Sequence, residues 1–193
     1  MLRPQPTEPT RTPATPDEAL LLTRIAAGDR AAFEALYRCY FPRLRRFLER
    51  VTRRPQMVEE ILNDTMLVVW RKAESYNGQS KVSTWIFAIA FRKAMKALKR
   101  LDEPIESDGS EGPPSVWSAP ERGLWQTELR DCLGRALALL SADHRAVVEL
   151  TYYEGYGYRE IAQIMGCPVD TVKTRMFHAR RKLKALLGDR ANE

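Results

Sequence analysis

Lys173, Thr174 and Arg175 place an ammonium, a hydroxyl and a guanidinium on three successive positions of a basic segment. Groups of these types donate to base edges in a DNA major groove, and Arg is the commonest reader of guanine O6 and N7. Arg180, Arg181, Lys182 and Lys184 follow on the same segment. Cations in that position suit phosphates, which hold register without carrying sequence information. The plainer alternative is a solvated charged face on an ordinary core helix. What separates the two is whether neighbouring elements can present the segment to a groove.

The residues before it meet that requirement. Tyr158 to Met165 predicts a short helix, with Gly157 as its N-cap and Ile161, Ala162 and Met165 as its inner face. Gly166 stands where a positive φ is wanted, and Pro168 suits the start of the next helix. That helix begins near Val169, with an apolar stripe of Val172, Met176, Ala179, Leu183 and Leu186. Short bracing helix, glycine turn and long basic helix together make a helix-turn-helix. Upstream, a helix is expected from about Gly123 to Leu140. Another runs from Ala142 to Tyr153, with Ser141 as N-cap and Asp143 in its first turn.

The rest of the chain is helical too. Phe33, Leu36, Tyr37, Tyr40, Phe41, Leu44, Phe47, Leu48 and Val51 recur at helical spacing, with Arg43, Arg45, Arg46 and Arg50 largely opposite them. A second helix reads from Gln56 to Glu74, with Val58, Ile61, Leu62, Thr65, Met66 and Val69 inward. The loop SYNGQSKVS intervenes, and a third helix runs from Thr84 to Arg100. The fold class is all-α: two small helical domains, residues 17–100 and 123–188. Residues 101–122 join them as a flexible linker that carries acids and prolines but no Lys or Arg up to Glu121. Residues 1–16 form a Pro/Thr-rich tail expected to be disordered, and 189–193 a short second tail.

Composition limits the function classes. The 193 residues are 44% apolar and carry a formal charge of +6, a balance that favours an anionic partner. Cys39, Cys132 and Cys167 are scattered, and His144 and His178 are the only histidines. No metal-ligand spacing, disulfide framework or cofactor motif is present, and a reducing cytoplasm fits. No apolar run approaches a membrane span, and the N-terminal stretch lacks the apolar core of a signal peptide. An enzyme such as a serine recombinase would need an N-terminal nucleophile on a βαβ domain, but the first serine is Ser75 and the first domain reads as helical. A conventional helix-turn-helix regulator is the other alternative, with residues 17–100 as its ligand-binding or dimerisation domain.

Those residues carry a more specific signal. The runs GDRAAFEALYRCYFPRLRRFL and VEEILNDTMLVVWRKAESYNGQSKVSTWIFAIA resemble region 2 of bacterial sigma factors of the extracytoplasmic-function (ECF) class. The run LSADHRAVVELTYYEGYGYREIAQIMGCPVDTVKTRMFHARRKL resembles region 4 of the same class, and a linker in place of region 3 is characteristic. The resemblance covers the chain from about Asp17 to Leu187. It implies a non-catalytic factor that binds core RNA polymerase through the clamp helices of its largest subunit and the flap region. Such a factor recognises promoter DNA at −35 and −10 elements, aids melting and is commonly held by an anti-sigma factor.

Residue by residue, the resemblance implies a polymerase-binding patch of Glu59, Glu60, Asn63, Asp64, Leu67 and Arg71, which point away from the apolar stripe of their helix. The −10 contacts would fall on Tyr76, Asn77, Lys81, Phe87, Phe91, Arg92, Lys93 and Lys96, where aromatic faces hold unstacked bases and cations follow the strand. Trp85, by contrast, is expected to pack in the core. The family usually has Asn at the place of Arg92 and Asp at the place of Lys96, so this helix is the more basic. The −35 contacts would fall on Asp170, Thr171, Lys173, Thr174, Arg175, Phe177, His178 and Arg180. His178 stands where the family often has Arg, and Asp170 where it often has Gly. Asp170 could accept from a cytosine N4 or simply favour the helix N-terminus.

Overall fold

The computed structural model describes residues 17–102 and 133–188. The N-terminal tail, the linker beyond Asp102, the beginning of the helix expected from Gly123 and the C-terminal tail lie outside the described residues.

Helix α1 (Glu18–Ala26) is held at its start by Asp17, whose carboxylate accepts from the N–H groups of Ala19 and Leu20 at 3.1 and 3.4 Å. Helical periodicity did not separate it, because Leu21, Leu22 and Ile25 are its only buried residues and span little more than one turn. Asp29 caps α2 (Arg30–Thr52) in the same way, accepting from Ala31 and Ala32 at 2.9 and 3.1 Å. Its second oxygen accepts from Arg24 of α1, which fixes the corner between the two helices. The capping N–H groups and Arg24 hold the Asp29 carboxyl below its ordinary range. Helix α2 ends at Arg53, which adopts a left-handed φ of 56°.

Pro55 opens α3 (Pro55–Lys72), where its missing N–H costs nothing. A single 3₁₀ turn (Ala73–Ser75) and the loop lead to α4 (Val82–Asp102). Both ends differ slightly from expectation: α3 stops at Lys72 rather than Glu74, and α4 runs two residues into the expected linker. Leu36, Tyr40, Leu44, Phe47, Leu48 and Val51 of α2 are fully or almost fully buried, and α2 packs on α1, α3 and α4 within this half.

Residues 133–138 are the described part of α5. Ser141 caps α6 (Ala142–Tyr152), accepting from the His144 N–H at 3.3 Å. Helix α7 (Tyr158–Met165), the turn and α8 (Val169–Gly188) follow as expected. At the head of α7, Glu160 folds back to accept from the Gly157 N–H at 3.0 Å. Gly166 takes the left-handed φ of 64° that a side chain would resist.

The two helical halves pack directly on one another. Helix α2 lies against α6, and α4 against α7. One continuous set of buried side chains, from Leu21 to Ala179, runs through both. This contact also places Arg43 and Arg50 differently from expectation: their side chains are only 29% and 16% exposed, facing the second half rather than solvent.

Candidate nucleic-acid interface

The last helix is built to be presented. Val172, Met176 and Ala179 are buried beneath it, while Asp170, Lys173, Thr174, Phe177, His178 and Arg180 are exposed; Thr171 and Arg175 are partly covered. Phe177 is 61% exposed, a large apolar ring with no core role. Most of these side chains are already held. The Asp170 carboxylate accepts from Lys173 at 2.9 Å, and the Thr174 hydroxyl donates to the Asp170 carbonyl. Arg180 donates twice to the Tyr152 hydroxyl, at 3.0 and 2.7 Å.

Arg175 is the most tightly fixed. Its Nη2 lies 2.6 Å from the Asp143 carboxylate on α6, and its Nη1 lies 3.7 Å from Cys167 Sγ. The His144 and His178 rings stand edge to face beside it, with centroids 6.4 Å apart. Burial is the main reason that the His144 pKa falls below its usual value, with the charges of His178, Arg175 and Lys182 adding to it. Sequence periodicity identified the exposed face but not Asp143 or Tyr152 as anchors. Their partners lie 32 and 28 positions away, and no spacing rule reports that.

A second surface forms between α3 and α4. Val68, Trp85 and Ile89 floor a cavity of about 450 Å³, and Lys72, Arg92, Lys93 and Lys96 rim it. An apolar aromatic floor with a cationic edge has the makeup of a site for an unstacked base and its phosphate. Trp85 was expected to pack in the core; it is partly buried, lies against Tyr76 with centroids 5.7 Å apart, and also lines the cavity. The Tyr76 hydroxyl donates to the Ser80 carbonyl at 2.5 Å, bracing the loop that carries the exposed Asn77 and Lys81. Partial burial raises the Tyr76 pKa.

Phe87 and Phe91 do not belong to this surface. They are 0% and 4% exposed, on the opposite side of α4 from Arg92 and Lys96. Phe87 stacks edge-on between Phe47 and Tyr156, with centroids 5.3 and 5.5 Å away. Neither ring offers a face to a base in this structure. The sequence reading counted them by composition, whereas the helical period puts them a third of a turn or more from the groove.

On α3, Glu59, Glu60, Asn63, Leu67 and Arg71 are exposed, and Leu67 leaves 44% of its surface in water. Asp64 is half exposed and pairs with Lys93 of α4 at 2.7 Å. The acidic patch and the basic groove therefore share one ion pair. Among the described residues no cluster of His, Cys, Asp and Glu could hold a metal ion.

Comparison with known proteins finds one matching family in each half of the chain. Sigma-70 region 2 matches residues 36–103, and Sigma-70, region 4 matches residues 130–183. The ECF RNA polymerase sigma factor SigK of a Mycobacterium species (strain JLS) is 31% identical over 191 residues, covering 94% of this chain and 97% of the relative. The ECF RNA polymerase sigma factor RpoE of Cereibacter sphaeroides is 30% identical, over 81% and 86% of the two chains. Among solved structures, the sigma factor RpoE of Bartonella quintana, in complex with the anti-sigma factor NepR, superposes with a TM-score of 0.65. It is 27% identical and covers 81% of this chain and 96% of its own.

Proposed function

The chain belongs to the ECF family of RNA polymerase sigma factors, and from that premise we propose how its surfaces divide the work of initiation. A sigma factor binds core RNA polymerase and directs it to promoters, and factors of this kind are generally non-catalytic. The observation that carries the assignment of surfaces is the pairing of two separate nucleic-acid faces on one chain: the exposed basic face of α8 and the Trp85-floored groove between α3 and α4.

In this reading the α8 face enters the major groove of the −35 element. Arg175 and Lys173 reach base edges; Arg180 and the cations beyond it hold phosphates. The α3–α4 groove takes an unstacked base of the −10 element on Trp85. Arg92, Lys93 and Lys96 neutralise the neighbouring phosphates, and Tyr76, Asn77 and Lys81 guide the strand. Capturing a base there offsets part of the cost of opening the duplex. The exposed face of α3 docks on the polymerase through Leu67, surrounded by Glu59, Glu60, Asn63 and Arg71.

The boundaries that follow are residues 17–100 for the polymerase- and −10-binding unit and 123–188 for the −35-binding unit. The protein itself performs no catalysis and acts in the cytoplasm, held in check by an anti-sigma factor, as the solved relative is seen bound to one. The test is in vitro transcription with bacterial core RNA polymerase on a library of genomic promoters, with and without the protein. Discrete start sites that need the protein support the reading. Duplex binding without such transcripts would return the chain to the class of conventional regulators.

A further inference from the structure

The side chain that closes α6 faces water and yet holds a residue of α8. Tyr152 is 59% exposed, although residues 146–150 of the same helix are buried. Its hydroxyl accepts from Nε of Arg180 at 3.0 Å and from Nη2 at 2.7 Å, and the guanidinium carbon lies 5.7 Å from the ring centroid. A phenol both accepts and donates. Here the accepting side is taken by Arg180, which leaves the O–H to donate elsewhere, and no acceptor for it stands among the described residues. The next ring along does not share this freedom: Arg50 lies over Tyr153, 3.7 Å from its centroid.

What Tyr152 leaves on Arg180 is as telling as what it takes. A guanidinium carries its N–H donors in a planar fork. Tyr152 occupies the edge made by Nε and Nη2. The edge made by Nη1 and Nη2 stays open, and a fork edge of this kind grips a phosphate with two parallel bonds. Arg180 stands seven positions after Lys173, so the two share one flank of α8, two turns apart. That is about 10 Å along the helix axis. With the first turns of α8 at base edges, a side chain that far along reaches the wall of a groove roughly 8.5 Å deep.

We propose that Tyr152 and Arg180 form a phosphate clamp built from two helices: Tyr152 positions the guanidinium and donates its own O–H to the same phosphate of the −35 duplex. DNA binding thereby gains a contact from α6, outside the helix-turn-helix. A guanidinium fixed before binding loses less side-chain freedom on contact than one that the phosphate must order. Both groups address a phosphate, so the clamp holds register without reading sequence. It rests on the assignment of the α8 face to the −35 duplex made above.

The experiment is a set of fluorescence anisotropy titrations of the full chain across a salt series. The probes are a duplex carrying the −35 sequence found by the transcription assay and a scrambled duplex of the same length. Tyr152→Phe keeps the ring and removes the hydroxyl, and its melting temperature should match the parent's. Its affinity should fall about 3–10-fold on both duplexes, through the loss of one hydrogen bond and of the hold on Arg180. Its salt slope should stay unchanged because the charge of Arg180 remains, whereas Arg180→Ala should lower the slope by about one. In the Arg180→Ala background, adding Tyr152→Phe should cost less than about twofold. Three results would overturn the clamp: parent affinity in Tyr152→Phe, a loss confined to the −35 sequence, or the same loss with and without Arg180. If Arg180→Ala binds both duplexes as the parent does, or the parent binds neither at low salt, the α8 assignment is at fault and the clamp falls with it.

Discussion

Arg175, proposed above to reach a base edge of the −35 element, is held in place by a side chain on a different helix. Asp143 sits in the first turn of α6, where a carboxylate also suits the helix dipole, and pairs with Arg175 at 2.6 Å. Asp143→Asn should release Arg175 to swing between phosphates. Non-specific affinity should then rise, and the salt dependence of binding should steepen by up to about one ion. The preference for the −35 sequence over a scrambled duplex should fall by roughly 5–10-fold, since about 1–3 kcal/mol rides on one bidentate base contact. Anisotropy titrations on both duplexes across a salt series would measure this. An unchanged preference and slope would mean that Arg175 is oriented by the backbone alone. Single residues were legible where they were exposed and local. Lys173, Thr174 and His178 could be placed on the exposed side from spacing, because a 3.6-residue period decides which side of α8 faces water. Phe87 and Phe91 were misplaced because aromatic composition near cations suggests stacking, while only packing against Phe47 and Tyr156 shows where the rings go.

Elements followed the sequence closely wherever a cap or a glycine marked an end. Ser141, Gly157 and Gly166 bound α6 and α7 where they were expected. Helix α1 was missed because its one buried turn gives no period to detect. The α6–α8 corner carries a further consequence at this scale. His144 Nδ1 lies 2.8 Å from the Ser141 Oγ of the N-cap, and its ring faces His178, with Arg175, Lys182 and Asp143 around it. Burial, reinforced by three of those cationic neighbours, lowers its pKa below the ordinary 6.5. The unfolded chain therefore binds the proton more readily than the folded one, so stability must fall as pH drops below about 6.5 and is fully present above it. His144→Gln removes that linkage. Between pH 7.5 and 5.5, the melting temperature of the parent chain should fall by a few degrees more than that of the variant. Parallel falls would assign the acid sensitivity to other groups, with Glu149 excluded because burial raises its pKa and works in the opposite direction.

At the scale of the whole molecule the sequence was silent about the contact between the two halves. Arg43 and Glu154 are 111 positions apart, and Arg50 and Glu149 are 99 apart; a helical period assigns both arginines to the side away from the core. Only the folded chain shows that this side meets a second surface of opposite charge. The three ion pairs across this seam differ in their access to water, and this predicts an order of release. Lys81 and Glu160 are 73% and 25% exposed, Arg43 and Glu154 are 29% and 9%, and Arg50 and Glu149 are 16% and 4%. Mobile ions screen a pair only where they can approach it, over a Debye length that shrinks from about 10 Å at 0.1 M salt to about 3 Å at 1 M. The Lys81 pair should therefore loosen first as salt rises, and the Glu149 pair last. Hydrogen exchange between 0.05 and 1 M sodium chloride, roughly the range over which screening becomes short-ranged, would resolve this by segment. Protection should drop early at the start of α4 and the head of α7, and persist in α6 around Glu149. Simultaneous loss throughout would mean that the seam opens as one cooperative unit, with Phe87 and Tyr156 rather than the ion pairs setting its strength.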